Sequence, residues 1–185
     1  MQLPKIDDII ETPRCILKIP QESEAEKMLE LINKNTLEFM PWSKCKSIKE
    51  QQAHIKERHN WVRESVSWSA AIYLKSWEMI GSFWVPRTME KTKTIEIGYW
   101  LWEKYQWKWY MSEVLKLFVD YIYCNFNTEN IIVRVNILNK NSCKVAERCN
   151  FKKDWILRKD DIIRWKYEDI AHYSYTKEDY LSQID

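Results

Sequence analysis

The stretch that decides the fold is residues 94–114, TIEIGYWLWEKYQWKWYMSEV. Apolar and polar residues alternate as far as Leu101, which is typical of a β-strand. A short polar loop follows, and from about residue 109 apolar residues recur at helical spacing. A helix that starts here presents unpaired N–H groups and the positive end of its dipole. The stretch therefore predicts a strand, a loop and a helix whose first turn suits an anion, although most helix starts bind nothing.

The flanking sequence predicts a mixed sheet covered by helices. Period-two patterns predict seven strands, at 13–19, 68–75, 78–85, 94–101, 130–137, 151–158 and 168–176. Period-3.6 patterns predict four helices, at 22–35, 47–64, 109–126 and 140–149. The order, an antiparallel meander followed by a β-α-β unit, indicates an α+β (mixed α/β) domain. Because the chain has no repeats and no Pro/Gly/Ser-rich linkers, we expect residues 1–185 to form a single domain.

Composition narrows the class of protein. The 185 residues carry 29 Lys+Arg against 27 Asp+Glu, a net charge of +2 with no basic block, so nucleic acid is not an expected partner. No apolar run approaches the ~18 residues of a membrane helix, and the first residues do not resemble a signal peptide. We therefore expect a cytoplasmic protein without membrane contact. The five cysteines are scattered and form no CxxC pair, which favours reduced thiols over a disulfide or zinc framework.

The glycine and tryptophan counts depart strongly from average usage. Average usage predicts about 13 glycines in a protein of this length, whereas the sequence contains 2 glycines and 11 tryptophans.

Several motifs in order resemble the GNAT acetyltransferases, in particular their ribosomal-protein N-terminal (RimJ/RimL-type) branch. The resemblance covers nearly the whole chain. It is carried by TPRCILK (12–18), EFMPW (38–42), MIGSF (79–83), IEIGYWL (95–101), YQWKWYMSE (105–113), IIVRVNILNKNSCKVAERCNF (131–151) and DIAHYSYT (169–176). It implies the GNAT fold, with a mostly antiparallel sheet of about seven strands and about four helices.

The resemblance also implies acetyl-CoA as co-substrate and no metal. The family's phosphate-binding signature, Q/R-x-x-G-x-G/A, begins here at Gln106, and the N-x-x-S signature falls on Asn139 and Ser142. The cofactor-binding residues implied in this way are Leu101, Trp102, Gln106, Trp107, Lys108, Trp109, Tyr110, Met111, Asn139 and Ser142.

Family members transfer the acetyl group directly to an amine in a ternary complex, which needs a base, oxyanion donors and an acid. Glu96 falls where many members hold the base, and the backbone N–H groups of residues 99–101 could polarise the thioester. Many relatives have a tyrosine that acts as the general acid at the position of Ala146. Because alanine cannot donate a proton, Ser142 is the candidate acid here. The alternatives are that Glu96 is a surface carboxylate and that Ser142 only caps a helix.

The main departure from the family is that tryptophan stands where glycine is expected. Both glycines of the phosphate loop become Trp107 and Trp109, and two indoles would fill space that phosphates need. The same replacement is suspected at Trp68, Trp77, Trp84, Trp102, Trp155 and Trp165, whereas Trp42, Trp61 and Trp100 stand where an aromatic belongs. Our hypothesis is that the source reads UGA as glycine and the translation gave tryptophan. The rival hypothesis is a decayed acetyltransferase, but decay predicts mixed substitutions rather than one repeated residue.

These observations predict an N-acetyltransferase acting on a protein N-terminal α-amine or a small-molecule amine, as a monomer or homodimer. Acceptor-pocket candidates are Glu30, Glu38, Trp42 and Tyr173. The alternative is a degenerate, non-catalytic GNAT-fold binding module whose phosphate loop is blocked by Trp107 and Trp109. A GNAT toxin that acetylates charged tRNA ranks below both, because it would need a more basic surface.

Overall fold

A computed structural model describes residues 3–5, 7–32, 36–40, 45–64 and 67–183. Its strands form one eight-stranded sheet in the order β1-β2-β3-β4-β5-β6-β8-β7. The strands are β1 (Ile10–Glu11), β2 (Cys15–Lys18), β3 (Trp68–Leu74), β4 (Met79–Met89), β5 (Thr94–Leu101), β6 (Asn130–Asn136), β7 (Lys152–Ile163) and β8 (Lys166–Thr176). The seven predicted strands are confirmed, and the two-residue β1 is the addition.

The described helices are α1 (Ala25–Leu31), α2 (Thr36–Phe39), α3 (Ile48–Arg63), α4 (Tyr110–Asn125), α5 (Lys140–Arg148) and α6 (Lys177–Leu181). The helix predicted at 22–35 differs: residues 22–24 form a 3₁₀ turn, and α1 ends before Ile32, whose backbone is extended (ψ 97°). The short helices α2 and α6 were not predicted, because elements of four and five residues are too short to show a helical period.

The sheet is antiparallel except where β5 meets β6. These two strands pair in parallel only from Thr94–Asn130 to Ile97–Val133, although β5 continues to Leu101 and β6 to Asn136. Beyond that point β5 remains paired with β4, as far as Gly81–Leu101. The two central strands therefore diverge and leave a gap in the middle of the sheet.

Helix α4 covers one face of the sheet at this gap. Its apolar stripe, which includes Val114, Leu115 and Phe118, packs in one core cluster with Ile95 and Val133. A second, smaller cluster lies between the other face and helices α1 and α3. Side chains alternate along a strand, so residues next to these core positions in β5 and β6 face away from α4.

Four tryptophans have a left-handed backbone. Among the described residues, eight that are not glycine have positive φ, and Trp77 (66°), Trp107 (68°), Trp109 (67°) and Trp165 (65°) are half of them. Trp165 lies in the β7–β8 hairpin turn, after Arg164, which also has positive φ. Because both turn residues are left-handed, the turn is tight and the strands extend to Ile163 and from Lys166, beyond their predicted ends.

The β3–β4 hairpin differs in one detail from the two-residue turn predicted from sequence. Leu74 N–H bonds to the Glu78 carbonyl oxygen at 2.9 Å, so the loop has three residues and Trp77 takes its left-handed last position.

All five cysteines are free thiols. In the described part of the protein no helix is long and apolar enough to span a bilayer.

Candidate active site

A cavity of about 540 Å³ opens beside the gap between β5 and β6. One wall is the end of β5, from Tyr99 to Leu101; the second is the loop before α4 with that helix's first turn; the third is α5. Thus the segments that hold the two sequence signatures meet across one cavity, although they are about thirty residues apart.

The first turn of α4 supplies unpaired backbone donors to this cavity. The helix's first internal hydrogen bond runs from Glu113 N–H to the Trp109 carbonyl oxygen at 3.0 Å. The N–H groups of Tyr110, Met111 and Ser112 therefore have no helical acceptor, and all three residues line the cavity. Positive charge from the helix dipole concentrates there, so an anion is favoured.

The opposite wall adds two cationic side chains. Lys144 and Arg148 stand one turn apart on α5 and line the cavity. The Arg148 guanidinium lies 3.8 Å from the centre of the Trp109 ring, and its Nη1 donates to Ser112 Oγ at 3.2 Å. Both cations were missed from sequence, and their i,i+4 spacing after Asn139 is the signal that could have identified them.

Trp107 and Trp109 lie at the rim of the cavity. Their side chains are 69% and 58% exposed, so the indoles border the cavity without closing it. Their φ angles of 68° and 67° are those that glycine adopts without strain.

Most of the implied cofactor-binding residues come together here. Those that line the cavity are Leu101, Gln106, Trp107, Trp109, Tyr110, Met111, Asn139 and Ser142. Two do not. The centre of the Trp102 ring lies 5.8 Å from that of Tyr105, with the two rings tilted, and the Lys108 ammonium lies 5.3 Å from the Tyr105 ring centre. Gln106 has a structural bond as well, because its Nε2 donates to the Leu101 carbonyl oxygen at 3.2 Å and closes the loop.

Asn139 and Ser142 form the start of α5. Asn139 Oδ1 accepts from Ser142 N–H at 3.2 Å, so Asn139 is the helix N-cap. Tyr99 Oη donates to the Ser142 carbonyl oxygen at 3.2 Å, which joins this turn to the diverging end of β5. Burial raises the pKa of Tyr99, so the phenol stays a donor. The Ser142 hydroxyl makes no hydrogen bond with the described residues.

A second cavity, of about 330 Å³, lies on the sheet face turned away from α4. It is bordered by Glu96 and the diverging ends of both strands, and it shares Tyr99, Asn139 and Ser142 with the first cavity. Glu96 is only 13% exposed, and its Oε2 accepts from Arg87 Nε at 2.6 Å. The two cavities therefore meet at the gap, with Ser142 at the junction and Glu96 on the far side.

Other residues singled out from sequence take different places. Glu38 lines the first cavity, whereas Glu30 pairs with Lys27 at 3.0 Å and the Tyr173 phenol donates to Glu147 at 2.9 Å, outside both cavities. Trp42 lies outside the described residues. The described residues contain no group of three or more His, Cys, Asp or Glu side chains suited to a metal ion.

The comparisons with known proteins agree with this architecture. The family model for the acetyltransferase (GNAT) domain matches residues 14–152, about three quarters of the chain, and the chain belongs to this family. A curated relative is the ribosomal-protein-serine acetyltransferase of Escherichia coli (strain K12), which is 27% identical over 97 residues, 52% of this chain and 54% of the relative. The chain therefore aligns with about half the length of that relative.

Solved structures share the fold over nearly the whole chain. RimL, a ribosomal L7/L12 α-N-protein acetyltransferase in complex with coenzyme A, superposes with a TM-score of 0.85 at 20% identity and covers 93% of this chain and 99% of that one. MccE, the microcin C7 self-immunity acetyltransferase in complex with acetyl-CoA and AMP, gives 0.83 at 22% identity, covering 89% and 93%. The Salmonella typhimurium enzyme that modifies the N-terminal serine of L7/L12 gives 0.82 at 20%, covering 91% and 99%.

Proposed function

We propose that this protein transfers the acetyl group of acetyl-CoA to a primary amine, and that the acceptor is the N-terminal α-amine of a protein. The observation that carries the proposal is the meeting of two cavities at the gap between β5 and β6, one with anion-binding donors and one with a carboxylate. The relatives named as acetyltransferases of ribosomal-protein N-termini support the acceptor class.

The first cavity fits the parts of acetyl-CoA. The free N–H groups at the start of α4, with Lys144 and Arg148 opposite, would hold the phosphates. The pantetheine arm would enter the gap, where β5 has no β6 neighbour after Ile97 and can offer backbone groups as a new strand partner would. The thioester would then lie near Ser142, with the acceptor approaching from the second cavity.

The chemistry needs one base and one acid. The neutral amine nitrogen attacks the thioester carbon, the C–S bond breaks, and the amine's surplus proton leaves toward Glu96, directly or through water. The Ser142 hydroxyl donates a proton to the departing thiolate. In this role Glu96 keeps one carboxylate oxygen on Arg87 while the other, Oε1, receives the proton.

The alternative of a non-catalytic binding module is not favoured. It assumed that the indoles of Trp107 and Trp109 block the loop, yet both rings stand at the rim with the cavity open beside them. The family's named relatives are enzymes, and the candidate acid and base are both present, Ser142 at the junction of the two cavities and Glu96 in the second cavity.

The test is acetyl transfer by the full-length protein to a serine-initiated peptide, followed as free coenzyme A. We expect Ser142→Ala to lower kcat by about 10²-fold with little change in acetyl-CoA affinity, as expected for loss of a general acid. Ser182→Ala, at the end of α6 and lining neither cavity, is the matched control. Binding of acetyl-CoA without transfer to any amine would reject the enzyme and support the binding module.

A further inference from the structure

The second cavity contains a buried amide that the mechanism does not use. Asn136 is the last residue of β6, is only 7% exposed and lines this cavity. It lies four residues after Ile132, which is the register partner of Glu96. Since side chains alternate along a strand, Asn136 and Glu96 lie on the same face of the sheet, away from α4.

The orientation of the amide is fixed by the backbone. Leu138 N–H donates to the Asn136 amide group at 2.8 Å, and only the oxygen can accept, so the atom bonded there is Oδ1. Asn139 N–H also donates to the backbone carbonyl oxygen of Asn136 at 2.9 Å, which holds the turn that leads into α5. The Nδ2 group therefore points away from this turn.

No described residue accepts a hydrogen bond from Nδ2. Among the described residues, the fully buried side-chain polar atoms without a partner are Trp68 Nε1, Ser69 Oγ and Asn130 Oδ1, so Asn136 Nδ2 is accessible to solvent and can donate to water or to a ligand in the cavity. The neighbouring cation on this face cannot replace it, because the Arg134 guanidinium is ion-paired with Asp160 at 2.5 Å. Asn136 is thus a neutral, pre-oriented donor at the side of the cavity.

A neutral donor selects an acceptor with a carbonyl near its amine. In a peptide, the carbonyl oxygen of the first residue lies three bonds from the α-nitrogen, whereas a simple alkylamine has no such group. We propose that Asn136 is a specificity-determining residue whose Nδ2 donates to the first carbonyl of the acceptor, so that peptide α-amines are preferred over alkylamines. This inference rests on the proposed acetyl transfer.

The experiment compares two acceptors with the full-length protein. One is a serine-initiated tripeptide, and the other is ethanolamine, which keeps the amine and hydroxyl of serine but lacks the carbonyl. Asn136→Asp preserves the oxygen that accepts from Leu138 and removes the donor. We expect kcat/KM for the tripeptide to fall about tenfold relative to that for ethanolamine, the loss typical of one hydrogen bond. Asn136→Leu, which adds no charge, should shift the ratio in the same direction.

Asn127→Asp, in the loop between α4 and β6, controls for the added charge and should leave the ratio unchanged. An equal loss for both acceptors, or no loss for the tripeptide, overturns the role of Asn136. If the unaltered protein acetylates neither acceptor, the proposed function fails. The role of Asn136 is then decided by the Kd of the tripeptide for the protein saturated with coenzyme A, which should rise about tenfold in Asn136→Asp and stay unchanged if the inference is wrong.

Discussion

At the residue scale, the backbone divides the eight suspect tryptophans into two groups. Trp77, Trp107, Trp109 and Trp165 have positive φ, which glycine adopts freely and which strains a bulky L-residue. The two glycines present, Gly81 and Gly98, do not have positive φ. A Cβ on Gly81 would lie 2.3 Å from the Trp100 carbonyl oxygen, so that position needs glycine for space. Tryptophan thus repeatedly occupies left-handed positions, which supports a misread codon more than decay.

Trp68 belongs to the other group. It is fully buried, its φ is not positive, and its ring stacks on Phe118 at 5.6 Å. We predict UGG at this codon and UGA at the four left-handed positions, which sequencing of the gene decides. As a physical check, Trp68→Gly should lower the free energy of unfolding by at least about 3 kcal/mol. Urea denaturation measures this change, and an unchanged free energy of unfolding would contradict the placement of Trp68 in the core.

For the phosphate loop, we predict that Trp107→Gly with Trp109→Gly increases acetyl-CoA affinity by at least about tenfold and raises stability. The affinity should rise because the rim indoles no longer restrict the approach to the α4 N–H groups. Stability should rise by about 1 kcal/mol or more per site as left-handed strain is relieved. Titration calorimetry and thermal unfolding measure the two effects.

The matched control for this loop is Trp77→Gly. Trp77 has the same left-handed backbone (φ 66°) and a similar exposure of 59% but lies in the β3–β4 turn, away from the cavities. It should gain stability without any change in affinity. If the double variant gains stability only, the indoles are strained but do not hinder acetyl-CoA.

At the element scale, one carboxylate joins the start of α4 to the first strands. Glu113 accepts from Thr12 Oγ1 at 2.5 Å, from Arg14 N–H at 2.9 Å and from Arg14 Nε at 2.6 Å. Burial raises its pKa, but the bonds from Thr12 and Arg14 outweigh burial, and the pKa of Glu113 lies below its ordinary value. Glu113 therefore has a structural role, holding the start of α4 against the segment that carries Thr12 and Arg14.

The lowered pKa predicts how stability depends on pH. The ionised Glu113 stabilises the folded protein above the carboxyl's unfolded pKa of about 4.3, and this contribution is lost as pH falls through the lower folded value. Glu113→Gln should therefore lower the free energy of unfolding at pH 7 by about 1–3 kcal/mol, and the difference from the unaltered protein should shrink below pH 4. Urea denaturation at several pH values measures it. A difference that is constant down to pH 3 would mean that the charge is irrelevant. Glu129→Gln, a surface carboxylate 3.5 Å from Lys93, is the control.

At the scale of the whole molecule, the gap between β5 and β6 makes the sheet two halves joined by four residue pairs. A ligand that enters the gap would bridge the halves. We predict that acetyl-CoA slows amide hydrogen exchange in residues 98–101 and 110–112 more than in β7 or β1. Exchange measured by mass spectrometry with and without acetyl-CoA tests this, with coenzyme A lacking the acetyl group as a comparison. If exchange slows equally in all strands, acetyl-CoA stabilises the fold as a whole without bridging the gap. If exchange slows mainly in residues outside the gap, acetyl-CoA binds elsewhere.

Much of the fold and part of the site could be predicted from sequence. The period-two runs at 94–101 and 130–137 and the amphipathic stretch at 109–126 depend on local patterning, which a single sequence retains without any contact information. The ends of β7 and β8 were predicted too short because the left-handed turn at residues 164–165 is tight. That Gln106, Asn139 and Ser142 share a cavity followed from resemblance. Whether residues 1–185 are one domain, and whether Glu96 and Ser142 are catalytic, remain predictions.

The sequence by itself determined which segments become strands and helices, and the family; which four of the eight suspect tryptophans have a left-handed backbone was shown only by the structure. Only the tertiary structure decided what each residue faces. Glu96 pairs with Arg87 across β4 and β5, Lys108 and Trp102 do not line the first cavity, and Asn136 has a free donor beside the second cavity. The physical reason is that these outcomes depend on strand register and on where β5 and β6 diverge, and both arise from pairing between residues far apart in the sequence.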